Sequence, residues 1–468
     1  MNIALVWFRE DLRLRDNPAF FEANNNHDLI IPIYILDKAS CRVGEAQNWW
    51  LHQSLIALTK SLTKLGLNLV LRQGSAIEIL IELADQLKIN TIYWNRCYTP
   101  LAIKRDKKIK ALLIEKGVEV LSSNGSLLNE PWTIQNKSGD FFRVFTPYWR
   151  QCLQRTSIPI PLKPAIKTQK KVNLKSDNLV DWYLEPKNPN WASGFSQHWQ
   201  PGEEGAQRQL CEFIENSLND YKNNRNFPAK SETSRLSPHL HFGEISPCTI
   251  WRALEYAKLE KGYEASIEGY LAELGWREFS YYLLYHFPQL PTANFRKEFD
   301  NFPWIDDEHS LRSWQKGMTG YPLIDAGMRE LWATGYMHNR VRMITASFLT
   351  KDLLIDWRLG AEWFLYTLVD ADLANNSASW QWVAGCGVDA APYFRIFNPI
   401  LQSEKFDPQG TYIRTWVPEL ANLDSQSIHK PWLVQDLCPD YPKPVIDHNE
   451  ARKRALLALK SIRAEERP

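Results

Sequence analysis

The residues most able to do chemistry lie between Leu368 and Pro399, in LVDADLANNSASWQWVAGCGVDAAPYFRIFNP. Asp370, Asp372, Asn375, Asn376, Trp380, Trp382 and Arg395 fall within this short stretch. Acids and amides beside indoles and small residues make a poor core but a good polar pocket. The Asp-x-Asp spacing also suits a metal, although no histidine or further acid completes an octahedral set. A second cluster is YLAELGWREFSYYLLYHFP, where Glu273, Trp276 and Arg277 share one helix face. An acid, an aromatic plate and a cation suit a planar polar ligand; an amphipathic helix with an i,i+4 Glu–Arg pair is the plainer reading. In MHNRVRMITASFLTKDLLIDW, Asn339, Arg340, Arg342 and Met343 gather at helical spacing. Arg342 and Asp352 stand about 80° apart around such a helix. These charges either find buried partners or form a surface stripe. Finally, TSRLSPHLHFGEISP sets hydroxyls and Arg235 before a proline-broken turn, which fits either a phosphate site or an ordinary capped loop.

Two kinds of element must position these groups. Apolar runs at Asn2–Phe8, Leu29–Leu36, Asn68–Arg72, Thr91–Trp94 and Val118–Leu121 alternate with amphipathic segments such as Gln47–Leu65 and Ala76–Leu87. That pattern predicts a parallel, doubly wound, Rossmann-like α/β domain over residues 1–130, but with no GxGxxG phosphate loop. Residues 131–200 read as a long linker, with Pro, Lys, Asn and Ser concentrated between Ser157 and Pro189. From 201 to 468 the period is helical: Glu203–Tyr221, Ser246–Tyr256, Ser266–His286, Tyr321–Thr334, Asn339–Asp352 and Ala361–Leu368. Ser246-Pro247 supplies a cap and first-turn pair. The second half is therefore expected to be an all-α domain that ends in a basic amphipathic segment.

Composition narrows the class. The chain has 468 residues, 44% hydrophobic and 23% charged, with a formal net charge of +1. It reads as a globular, membrane-free protein whose N-terminus is a strand and not a signal peptide. Any nucleic-acid contact must come from a local basic surface. The cysteines Cys41, Cys97, Cys152, Cys211, Cys248, Cys386 and Cys438 form no metal-spaced pair, which implies reduced thiols and a cytoplasmic location. Twenty tryptophans are present, each as readily core filler as anything else.

Taken together and in order, ALVWFREDLRLRDNPAF, VGEAQNWWLHQSL, TSRLSP, ELGWREF, MHNRVRMITASFLTKDLLIDW, LANNSASWQW, APYFRIFNP and KFDPQGTYIRTWVPEL closely resemble the photolyase/cryptochrome family. Within it the chain looks most like the bacterial class I cyclobutane pyrimidine dimer photolyases. The resemblance implies that the helical domain holds FAD. Tyr221, Thr233, Ser234, Arg235, Leu236 and Ser237 match the positions around its phosphates. Arg342 and Asp370 resemble the ion pair beside the isoalloxazine, with Ala371 and Asp372 along flavin and ribose; Tyr270 and Asp352 join this set. Tyr270 and Tyr336 stand where many relatives have Trp. Trp380, Trp357 and Trp304 match the family's electron-carrying tryptophans, a role their spacing alone does not reveal.

Asn376 matches the residue facing flavin N5. An amide offers a donor and an acceptor and is no ready acid, which suits a reduced, electron-donating flavin and hence repair over signalling. The dimer must be flipped out of the duplex. Glu273, if buried and protonated, could donate to a thymine carbonyl, and Asn339 could do likewise. Trp276, Met343 and Trp382 would pack on the bases. His338-Asn339 lacks the histidine pair of (6-4) photolyases, which favours cyclobutane dimers. Arg225, Arg277, Arg340, Arg395 and Lys405 are the expected backbone contacts.

In the first domain His52, Asn95, Arg96 and Arg105 are candidates for an antenna site, with methenyltetrahydrofolate first, and 8-hydroxy-deazaflavin or none as alternatives. The implied function is light-driven dimer splitting by a monomer acting on damaged DNA. A cryptochrome photoreceptor is the rival, disfavoured by Asn376 and the short C-terminus. A dark FAD oxidoreductase lacks a nicotinamide-site signature.

Overall fold

The computed structural model describes residues 2–37, 44–155, 157–163, 174–390 and 394–464. Cys41, residues 391–393 of the APYFRIFNP motif, part of the expected linker and the last four residues lie outside that set. The first half is an α/β domain. Five parallel strands, β1 (Ile3–Phe8), β2 (Leu29–Leu36), β3 (Val70–Gln73), β4 (Thr91–Asn95) and β5 (Glu119–Ser123), lie in the order β3-β2-β1-β4-β5. Their near-continuous apolar sequences are required because both faces are covered. Along β1, Ala4, Val6 and Phe8 enter one core and Leu5 and Trp7 the other, as strand alternation dictates. Pro32 in β2 pairs with Val6 of β1 and sits one residue before the pairing with β3 begins.

The core on the Ala4 side does not stop at the sheet. It runs through Trp50 and Leu55 of the Glu45–Lys64 helix to Phe195, Phe242 and Val369 of the second half. Buried polar groups fix the same junction. Arg13 donates to the carbonyls of Asp16, Gly125 and Gly243. Glu244 accepts from Trp50, Ser54 and the Gly202 amide.

The second half is helical: Glu203–Glu212, Pro247–Lys261, Glu264–His286, Pro322–Thr334, Asn339–Ser347, Trp357–Thr367, Leu373–Ala384 and His448–Ala464 are its main members. Ser246 caps the second of these by accepting from the Thr249 amide at 2.9 Å. Four departures from the sequence pattern matter. The Glu203–Tyr221 period is broken by a π turn at Phe213–Ser217, and Asn339–Asp352 passes into a π turn at Phe348–Asp352. Leu373–Ala384 is a helix although its composition reads as a polar pocket. The segment read as connector carries a further helix, Phe145–Arg155.

Candidate active site

A cavity of about 730 Å³ opens in the helical half, at the upper end of the range for small-molecule sites. The 233–237 turn, with Arg235 at φ +51°, forms one wall. Ser234 Oγ accepts from Tyr270 Oη at 2.8 Å, and the rings of Tyr221 and Tyr270 lie 5.3 Å apart behind it. Arg235 lies over Trp199 and Tyr336, and its Nε is buried without a partner. Ser237 Oγ donates to Asp370 Oδ2 at 2.6 Å, and Arg342 Nη2 reaches the same oxygen at 2.9 Å. Asp370 Oδ1 is buried and unpaired. Hydroxyls, two guanidiniums and an incompletely satisfied carboxylate form a donor set that fits a dinucleotide: cations and hydroxyls for the diphosphate, acids for polar ring and sugar edges.

The floor is the start of the Leu373–Ala384 helix. Asp372 caps it through the Asn375 amide at 2.8 Å. Burial alone would lift the Asp372 carboxyl, but hydrogen bonds from His241, Tyr281 and the Asn375 amide outweigh it and hold it well below the usual range. Asp372 is thus a fixed anion. Gln47, from the Glu45–Lys64 helix of the first half, bonds both His241 and the Ala371 carbonyl. Asn376 donates from Nδ2 to the Ala361 carbonyl at 3.0 Å, which leaves its Oδ1 as an acceptor at the cavity. Trp380 also lines the wall, packed on Phe364 at 5.0 Å. Gly360 is required there, because a Cβ would stand 2.2 Å from the Trp380 ring. Trp357 lies fully in the core with Nε1 on Asn294 Oδ1 at 2.9 Å, and Trp304 is half-buried against Phe302.

At the mouth, Glu273 pairs with Arg225 at 2.7 Å. Trp276 is about one-third exposed and lies flat on Phe145. Asn339, Met343 and Trp382 share this rim. Arg340 donates to Asn226 at 2.7 Å and covers Phe406, and Arg395 covers Trp382. Lys405 is exposed beside Phe406. His338 is buried, and burial with the nearby Arg342, Arg340 and Arg225 pushes it down to about 4, so it is neutral at physiological pH.

Several expectations need correction. Asp352 does not line the cavity: it sits in the π turn, where its carboxylate meets His448 Nδ1 at 2.5 Å. Glu273 is not buried as expected: its side chain is 37% exposed and ion-paired with Arg225. Arg277 turns inward to the Ser126 carbonyl at 2.9 Å, with only 11% of its side chain exposed. In the first half, Asn95 is committed to Asp11 and Asn17, Arg96 to Glu130 and Arg105 to Asp106. Those polar groups are satisfied within the protein; His52 is half-buried on the Glu45–Lys64 helix. Sequence reasoning did not single out Gln47, His241 or Tyr281, although all three lie inside quoted motifs. Among the described residues, no group of three or more His, Cys, Asp or Glu could hold a metal ion, and no helix is long and apolar enough to cross a membrane.

Comparison with known proteins places both halves. A family model described as DNA photolyase matches residues 4–166, and one described as the FAD binding domain of DNA photolyase matches residues 270–461. The deoxyribodipyrimidine photo-lyase of Agrobacterium fabrum is 49% identical over 98% of each chain. Cryptochrome-2 of Arabidopsis thaliana is 36% identical over 98% of this chain and 79% of its own. The crystal structure of a bacterial class III photolyase from Agrobacterium tumefaciens matches with a TM-score of 0.96 and 48% identity, covering 99% of this chain and 98% of that one. The expected class I likeness is therefore corrected: this neighbour is a class III enzyme.

Proposed function

This chain belongs to the photolyase/cryptochrome family, and on that footing we propose that it is a carbon–carbon lyase that repairs cyclobutane pyrimidine dimers in DNA under blue light. The observation that carries the reading is one cavity with two ends: a cationic, hydroxyl-rich wall closed by the Arg342–Asp370–Ser237 contact, and an aromatic mouth at Trp276 and Trp382. When bound, reduced and photoexcited, FAD would supply the electron that opens the dimer and would receive it back, with no net redox change.

The protein's own groups do the rest. Thr233, Ser234, Arg235 and Ser237 hold the diphosphate, with Tyr221 and Tyr270 behind them. Arg342, Asp370, Ala371 and the fixed anion Asp372 orient the ring system. Asn376 Oδ1 offers an acceptor and no acidic proton, which preserves an electron-rich ligand. Trp276, Met343 and Trp382 receive the flipped bases, as photolyases in general require. Asn339 donates toward a base carbonyl, where negative charge collects as the electron arrives. A DNA phosphate competes with Glu273 for Arg225, and Arg340, Arg395 and Lys405 extend the phosphate track. Trp380, Trp357 and Trp304 carry electrons inward from the surface. In this reading residues 1–130 form the light-harvesting half with a methenyltetrahydrofolate antenna, 131–200 the linker and 201–468 the catalytic half, in a cytoplasmic monomer.

The test is ring opening of a thymine-dimer oligonucleotide by the purified holoprotein, chemically reduced and lit with blue light. Restoration of two thymines supports repair; intact dimer under those conditions returns the chain to the signalling reading. An absorption band in the near ultraviolet beside the flavin bands checks the antenna.

A further inference from the structure

We infer that Phe145 is a positioning residue for dimer recognition: it braces one face of Trp276, so that only the opposite face is offered to a pyrimidine. This rests on the reading that Trp276 receives the flipped dimer, and it adds a residue from outside the helical half.

Trp276 sits on the Glu264–His286 helix at the cavity mouth. Phe145 comes from the connector helix Phe145–Arg155. The two ring centroids are 3.8 Å apart and the planes differ by 10°. One indole face is therefore covered by a ring that is itself buried. Behind Phe145 a second ring, Trp149, continues the stack at 6.3 Å and 12°. Phe145 and Trp149 are one helical turn apart, so they project from the same face. Trp149 in turn lies on the backbone of Gly275: a Cβ there would stand 2.7 Å from its ring. The Gly275–Trp276 step is thus gripped by two consecutive plates.

The plates are held in place. Tyr148 packs on Phe279 and Tyr282, and the Phe142 amide donates to Tyr282 Oη at 2.9 Å. The Phe145 amide donates to Asp389 Oδ2, beyond the Leu373–Ala384 helix. A ring that merely filled core would not leave its partner one-third exposed on a cavity wall. An indole free on both faces must be ordered when a base arrives; a braced one is already ordered, and only one base can stack on it.

The experiment measures dark binding of the full-length, FAD-loaded protein to an oligonucleotide carrying one thymine cyclobutane dimer and to its undamaged twin. Phe145→Ala and Phe145→Leu are expected to lower the ratio of the two affinities by roughly three- to tenfold. Phe145→Tyr should keep it. Phe145→Leu retains apolar volume, so it reports even if the alanine variant folds poorly. The flavin spectrum should be unchanged throughout. In a Trp276→Ala background, Phe145→Ala should cost nothing more, because the brace then has nothing to hold. Parental discrimination in Phe145→Leu, or a loss that adds in full to that of Trp276→Ala, would overturn the inference. Parental discrimination in Trp276→Ala would instead remove Trp276 from the substrate site, and the brace with it.

Discussion

Replacing Asp370 by asparagine keeps the side chain's shape and removes the charge that Arg342 faces. Arg342 Nη2 lies 2.9 Å from Asp370 Oδ2, and Ser237 donates to the same oxygen. Removing one partner of a buried ion pair costs about 3–5 kcal/mol, because the other charge stays buried. Two features put this case at the lower end. Arg342 keeps its bond from Nε to the Met337 carbonyl at 2.6 Å, and 23% of its side chain is open, against 3% for Asp370. The hydroxyl of Ser237 can still donate to the amide oxygen. The expected loss is therefore about 3 kcal/mol, or roughly two decades in an equilibrium constant. Urea unfolding followed by tryptophan fluorescence, with flavin release recorded in parallel, measures it. The midpoint should fall with an unchanged slope. If the pair also flanks the bound ring, the FAD-loaded form should lose more than the FAD-free form. A shift below about 1 kcal/mol in both forms would mean that the guanidinium finds compensation elsewhere, and the argument from burial would be refuted.

Four further outcomes follow from the geometry. Burial raises Glu278 to about 7 against the pull of Arg277 and the Leu128 and Asn129 amides. A carboxyl raised above its unfolded value contributes stability that is complete below about pH 4.5 and fades as pH climbs through 7. In urea titrations Glu278→Gln should therefore lose about 2–3 kcal/mol less than the parent between pH 5 and pH 8, and parallel losses would contradict this. Gly360→Ala pushes a methyl into the Trp380 ring and should cost about 1–3 kcal/mol in thermal unfolding; a neutral result would show that the ring can step aside. Trp357→Phe should abolish photoreduction of the purified protein while sparing repair once FAD is chemically reduced, and unchanged photoreduction would exclude it from the path. Asn376→Asp replaces an amide, which donates to the Ala361 carbonyl, by an acid, and should alter the visible flavin spectrum and lower the repair yield per photon; a parental spectrum and yield would separate this residue from the ring.

The sheet was legible because strands covered on both faces must be apolar throughout, and β2 runs from Leu29 to Leu36 as its sequence suggests. The Glu264–His286 helix was legible from its period. The Leu373–Ala384 helix was not, because Asn375 and Asn376 turn polar groups to a cavity and leave no clean apolar stripe. Asp352 was placed in the cofactor set by the resemblance alone; in the structure it sits in the i→i+5 turn at Phe348–Asp352, where its carboxylate meets His448. The connector helix had a readable signal, since Phe145, Tyr148, Trp149 and Cys152 fall at i, i+3, i+4 and i+7; proline-rich composition downstream obscured it. The pairing of Glu273 with Arg225 could not be read from either segment, because it depends on how two distant helices meet.

Gln47 belongs to the sheet-bearing half, yet its amide ends on His241 and on the carbonyl next to Asp372. The two halves are therefore not interchangeable cassettes. In a chimera whose first half carries a different residue at this position, the buried acid beside it loses a brace. Grafting another sheet-bearing half onto this helical one should succeed only where a glutamine, or another two-pronged donor of that reach, comes with it.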